Sequence, residues 1–116
     1  MKLTFEIDRI VSFKLGRPPE RVLSFDQDYI RIGTLPSSHI VLPADSGASR
    51  MHAVIEVTQQ AVVRSADAPH GQAFVDFIDV GSVEGSIVNG KPTRKCALHD
   101  GDIITLGRTR ILVRFE

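Results

Sequence analysis

The sequence is short of several things at once, and each shortage removes a class of explanation. It contains one cysteine, Cys96, so no internal disulfide can staple the chain. That points to a reducing compartment, and a cytoplasmic location is the expectation. The four histidines, His39, His52, His70 and His99, are scattered and offer no zinc-type spacing, so neither a metal nor another cofactor is expected. Neither sign of charge is in excess: 14 Lys and Arg offset 14 Asp and Glu. A balanced field gives no general attraction to nucleic acid or to an anionic membrane, and neither is expected as a partner. No apolar run approaches the length of a bilayer crossing, and no basic start leads into an apolar core with a cleavage site. Internal repeats and low-complexity tails are missing. Apolar residues nowhere recur at helical spacing for long enough to demand a helix.

What is present is short-period alternation broken by turns. The 116 residues suit one domain, expected over residues 1–116, and the chain starts and stops as a domain cut from a longer protein would. Lys2 to Asp8 alternates Leu3, Phe5 and Ile7 with polar residues, the pattern of a strand with one buried face. Arg9 to Phe13 continues or bulges it, and the proline segment Gly16 to Pro19 breaks it, with Arg17 to Glu20 placed to blunt a sheet edge. Extended runs follow at Arg21 to Phe25, Tyr29 to Ile32 and Ile40 to Leu42. A hairpin is predicted from His52 to Thr58 and Ala61 to Ser65, turning at Gln59 and Gln60, and Ala66 to Gly71 reads as a turn. Phe74 to Ile78 forms the next strand, and Ile87 and Val88 enter the Asn89-Gly90 turn, with Lys91 to Arg94 returning. A closing hairpin joins Ile103 to Leu106 and Arg110 to Phe115. Some ten short strands of this kind predict an all-β sandwich.

The order of blocks I-R-I-G, I-V-L, S-R-M-H-A-V-I, D-V-G-S-V-E-G-S-I-V-N-G and L-H-D-G-D-I-I-T-L-G resembles a forkhead-associated (FHA) domain over Val22 to Phe115. The resemblance implies an antiparallel two-sheet β-sandwich of about eleven strands, with both termini at one end and recognition loops at the other. It also implies a protein-interaction module that reads phosphothreonine on a partner. Carried over by residue, it makes Ser49, Arg50, Thr34, Ser82, Glu84, Gly85, Ser86 and Asn89 the candidate phosphopeptide-binding positions, with Gly33, His52 and Gly90 in structural roles. Two positions depart from the family pattern. Thr34 stands where an arginine usually follows the glycine, and Glu84 where an asparagine usually precedes one.

The chemistry of those positions sharpens the expectation. A phosphate near neutral pH carries about two negative charges and strong acceptors, so its receptor needs several donors and preferably a guanidinium. Arg50 supplies one and Ser49 a hydroxyl, although Ser49 equally suits a cap for its own loop. Thr34 removes a charge-assisted contact and Glu84 adds a repelling one, which predicts weakened or altered phosphate recognition. Arg31, Lys91 and Arg94 are the basic residues available to compensate, each also explicable as solvated surface. The alternative is a phosphate-independent structural or self-associating module within a larger signalling or secretion assembly. Catalysis is not expected: Ser49 and His52 make a poor nucleophile and base, with only Asp45 or Asp76 to orient the ring, and no phosphate-cradling glycine loop with its lysine occurs. Cys96 reads as a small hydrophobe facing the sheet.

Overall fold

The computed structural model describes residues 2–9, 19–60 and 72–116. Eleven strands occur among these residues: β1 (Leu3–Arg9), β2 (Arg21–Phe25), β3 (Tyr29–Gly33), β4 (Ile40–Val41), β5 (Ala53–Gln60), β6 (Gln72–Asp79), β7 (Ile87–Val88), β8 (Lys91–Pro92), β9 (Lys95–Ala97), β10 (Ile103–Leu106) and β11 (Thr109–Phe115). They form a six-stranded sheet in the order β2-β1-β11-β10-β7-β8 and a five-stranded sheet in the order β4-β3-β5-β6-β9. All pairings are antiparallel except that of β3 with β4.

The alternation in β1 does what its period dictates. Leu3, Phe5 and Ile7 turn inward to meet Ile111 and Val113 of β11 and Ile30, Ile32, Ile55 and Phe77 of the facing sheet, all buried in one core. On the outer face of the six-stranded sheet, Glu6 pairs with Arg114 and Lys2 with Glu116. β1 and β11 run in register from Leu3 opposite Phe115 to Arg9 opposite Thr109. The described chain ends therefore lie together, and the turn at Gly107 and Arg108 lies at the other end of the sandwich. Loop 43–50 reaches that same end, because Arg108 N–H donates to the Ser46 carbonyl at 2.7 Å.

Several expectations on strand limits change. Gln59 and Gln60 are not a turn: they continue β5, opposite Ala73 and Gln72 of β6. A glutamine carries no turn chemistry of its own, so pairing to a long neighbour extends the strand through both residues. The expected returning arm at Ala61 to Ser65 and the turn at Ala66 to Gly71 lie outside the described residues, as do residues 10–18, which include most of the proline segment. Pro19 and Glu20 do lead into β2, an edge strand. A strand missing from the sequence reading is β9, whose three residues pair with β6 and set Cys96, packed against the core, opposite Phe77. It is too short for its period to show.

One histidine belongs to this framework. His39 Nδ1 accepts the Arg31 backbone N–H at 2.9 Å, and its ring meets the Phe25 ring edge-on with centroids 6.0 Å apart. Burial, and then the charge of Arg31, hold its pKa below the ordinary imidazole value. A group of lowered folded pKa takes up its proton first in the unfolded chain, so it withdraws stability as pH falls below about 6.5. Urea unfolding at pH 7.5 and 5.5 should show that loss, and His39→Gln should reduce it. An unchanged pH dependence in His39→Gln would refute the assignment.

Candidate functional site

Three loops at the end away from the described termini are tied into one surface by backbone contacts. Thr34 N–H donates to the Ser49 carbonyl and Leu35 N–H to the Arg50 carbonyl, both at 3.2 Å, while His52 N–H donates to the Ile32 carbonyl at 3.0 Å. These bonds draw the chain after β3 against the chain before β5. Gly33 is what permits it: a Cβ there would stand 2.0 Å from the Arg50 carbonyl oxygen. The requirement at Gly33 is space rather than dihedral freedom. At the Asn89-Gly90 turn it is dihedral, since both residues have positive φ, 52° and 81°.

His52 joins the third loop to the first two. Its ring is fully buried; Nδ1 accepts the Ser49 backbone N–H at 3.0 Å, and Nε2 donates to the Gly85 carbonyl at 2.8 Å. Both ring nitrogens are thereby spent on backbone, and the Ser49 hydroxyl does not face a free base. Neither Asp45 nor Asp76 holds the ring; among the described residues the nearest carboxylate is that of Asp79, 3.9 Å from Nε2. Among the described residues no cluster of three or more His, Cys, Asp and Glu is placed to hold a metal.

Asp79 is the organiser that sequence reasoning missed. One carboxylate oxygen accepts the backbone N–H groups of Gly81 and Ser82 at 2.8 Å each. The other accepts the hydroxyls of Ser82 at 2.5 Å and Ser86 at 2.6 Å. The carboxylate side chain is only 4% exposed. Burial pushes its pKa up, but the hydroxyl and amide hydrogen bonds outweigh burial and hold it well below the usual carboxylate range. The available signal was the string D-V-G-S-V-E-G-S, an aspartate followed at short range by glycines and two serines, which is Asx-turn chemistry.

These bonds sort the candidates. Ser82 and Ser86 serve Asp79, and with Gly85 they line a depression beside Thr93 and Arg94. The Asn89 side chain donates to Asp102 Oδ1 at 3.0 Å and accepts the Ile103 N–H at 2.9 Å, which locks its turn to β10. Ser49, Arg50 and Glu84 instead come together on a separate open depression, with Leu35, Met51 and Val83. There the Ser49 Oγ accepts the Val83 N–H at 3.0 Å, which fixes the oxygen and leaves the hydroxyl hydrogen available. Arg50 and Glu84 are exposed, and Thr34, half-buried, borders this surface through its bond to Ser49. Arg31 is turned elsewhere, with Nη2 on the Ser37 carbonyl at 3.0 Å. A fixed hydroxyl beside a free guanidinium is an arrangement able to hold a tetrahedral anion.

The chain has clear relatives of this architecture. A family profile described as FHA domain matches residues 30–107. Among solved structures, an FHA domain from a structural and functional analysis of phosphothreonine-dependent FHA domain interactions is 26% identical, with a TM-score of 0.71 over 100% of this chain and 98% of its own. The FhaA FHA domain, complexed with the intracellular domain of Rv3910, is 27% identical, with a TM-score of 0.68 over 97% and 99% of the two chains. The FHA domain of the CT664 protein of Chlamydia trachomatis shares the fold, with a TM-score of 0.70 and 21% identity over 100% and 99%. A search of curated proteins finds no match. The profile spans about two thirds of the sequence, and the chain belongs to the FHA domain family, whose members are non-catalytic interaction modules that bind phosphopeptides.

Proposed function

We propose that this domain binds a phosphothreonine-containing segment of a partner protein at the depression formed by Ser49, Arg50 and Glu84, with recognition of the phosphate weaker than, or altered from, that of relatives carrying the usual arginine. The observation that carries the reading is the pairing of an exposed Arg50 with a Ser49 hydroxyl whose oxygen is pinned by Val83 N–H, on loops braced from beneath by His52. Arg50 offers parallel donors to two phosphate oxygens and Ser49 adds one more. Thr34 contributes a neutral hydroxyl where a guanidinium is usual, and Glu84 brings a like charge to the rim, offsetting part of that attraction. The absence of excess positive charge fits a single recognised segment of protein better than a polyanion.

Titration of the domain with a phosphothreonine peptide library and its unphosphorylated twin tests this. Phosphorylated peptides should bind saturably and the unphosphorylated forms hardly at all. Arg50→Ala should weaken the phosphorylated complex by about tenfold, the equivalent of one charge-assisted contact. Because Arg50 is exposed, its thermal stability should be unchanged. Equal binding of both peptide forms would replace this reading by a phosphate-independent one, in which Val83, 91% exposed at the loop tip, and the acidic Glu84 meet an apolar or basic partner surface.

A further inference from the structure

On β6, Val75 and Phe77 are buried, so Phe74, Asp76 and Ile78 point away from the core, and Val80 continues their line beyond the strand. Strand register extends that line into two rows across the outer face of the five-stranded sheet. One row reads Tyr29, Glu56, Asp76 and Ala97; the next, nearer the recognition loops, reads Arg31, Val54, Ile78 and Lys95. Glu56 and Asp76 stand directly opposite one another, a costly placement for like charges, and among the described residues neither forms an ion pair within the chain. Large apolar side chains open to solvent stand at either end of the β6 line, Phe74 at 41% and Val80 at 44%. Between Tyr29, Arg31, Val54 and Val80 the face sinks into an apolar cleft of about 220 Å³. Isolated apolar residues on a surface need no explanation, but exposed ones placed evenly about a charged centre do.

We propose that this face is the interface of a two-fold dimer of the domain, in which each row lies over the other row of the second copy. Charge complementarity chooses the occupant. A two-fold axis in the plane of the interface, running across the strands midway between the rows, sets each strand over its own counterpart and exchanges the rows. Arg31 of each copy then lies over Tyr29 and beside Glu56 of the other, and Lys95 over Ala97 and beside Asp76. The same operation brings Phe74 of each copy onto Val80 of the other. Each carboxylate gains the counter-ion it lacks in the monomer. Two cations and two carboxylates, with neither sign in excess, suit a surface that meets itself better than they suit a strongly basic or acidic partner. The backbone footprint, from β3 to β9 and from Phe74 to Val80, is roughly 15 by 20 Å, small for a protein interface, so the dimer should be of micromolar strength. The proposal stands whatever the Ser49–Arg50 depression binds. An axis across the strands reverses their direction, so the depressions of the two copies face opposite ways. On the phosphopeptide reading, the dimer joins two partner molecules instead of gripping two neighbouring phosphates.

The test is sedimentation velocity of the peptide-free domain between about 5 µM and about 500 µM, a range that brackets micromolar association. Wild type is compared with Lys95→Glu, with Asp76→Lys and with an equal mixture of the two variants. Both positions lie outside the depression that holds Ser49 and Arg50. Wild type should pass from monomer to dimer as concentration rises. Each variant alone sets like charges against each other across the axis and should dimerise at least about tenfold more weakly. In the mixture, the new glutamate of one variant meets the new lysine of the other, and the native Asp76 of the first meets the native Lys95 of the second, so dimers should return. Return on mixing also shows that both variants are folded. Wild type that stays monomeric at the highest concentration overturns the proposal. A dimer equally strong in either variant alone belongs to another surface and overturns it too. Variants that are monomeric alone and remain so when mixed, with wild-type melting curves by circular dichroism, would overturn the pairing of the rows.

Discussion

Asp79→Ala should destabilise the domain by about 3 kcal/mol, because it removes the acceptor of several hydrogen bonds to one charged group and leaves buried donors behind. The donors are specific. Ser86 is 4% exposed and its hydroxyl has Asp79 as its partner, while the Gly81 and Ser82 amides converge on the other carboxylate oxygen. The loss should reach function as well as stability. Ser82 Oγ, held by Asp79, accepts the Gly85 N–H at 3.0 Å, and Gly85 in turn supplies the carbonyl that receives the His52 ring. His52 holds the Ser49 amide. Removing one carboxylate therefore loosens a relay ending at the serine proposed to meet phosphate. Urea unfolding at pH 7 gives the magnitude, and a variant within about 0.5 kcal/mol of wild type, the range of ordinary surface changes, would show that Asp79 is not an anchor.

The same carboxylate carries a pH signature. Its folded pKa is depressed, so it contributes stability fully above the unfolded carboxylate value of about 3.9 and withdraws it as pH falls below that point. Wild type should therefore lose stability as pH falls below about 3.9, more steeply than Asp79→Ala. His39 acts in the same direction but higher on the pH scale, so acidification should weaken the fold in two separable stages.

Thr34→Arg should raise affinity for phosphothreonine peptides by about ten- to a hundredfold, the worth of one charge-assisted hydrogen bond to phosphate. Position 34 is held beside the Ser49 carbonyl by its own N–H and follows the glycine whose missing Cβ lets the two loops meet. A guanidinium from there would add donors beside Ser49. The gain should shrink as salt is raised, since it is largely electrostatic at an open surface. Titration of wild type and variant against paired phosphorylated and unphosphorylated peptides decides it. If Thr34→Arg leaves affinity unchanged while wild type binds, the phosphate does not sit against this loop. If wild type is silent and the variant binds, the scaffold is intact but has given up phosphate reading, and the search moves to its sheet faces.

Much of the strand pattern was legible because a strand with one buried face writes itself in period two. Leu3, Phe5 and Ile7 declared β1, and Arg21 to Phe25 declared β2 with the limits the structure has. The Asn89-Gly90 turn was equally readable, since the residues themselves demand positive φ. Where one residue is as compatible with a strand as with a loop, local chemistry failed. Gln59 and Gln60 were misread as a turn because their strand character comes from β6 alongside them, and β9 was invisible because three residues hold less than two periods.

The site divides along the same line. The order of blocks, through the resemblance it carries, implied the sandwich, recognition loops at the end away from the termini and the place of Ser49, Arg50 and His52 in them, and it made Thr34 and Glu84 the expected departures from the family pattern. Which of the candidates share a surface depends on contacts between distant segments. Ser82, Ser86 and Asn89 were candidate positions alongside Ser49, and it is Asp79 and Asp102, brought close by folding, that engage them. The apolar cleft likewise collects residues from positions 29 to 80. The physical reason is common to both: a hydrogen-bonding or apolar side chain carries its chemistry in the sequence, but whether that chemistry is already satisfied depends on neighbours that only the fold supplies.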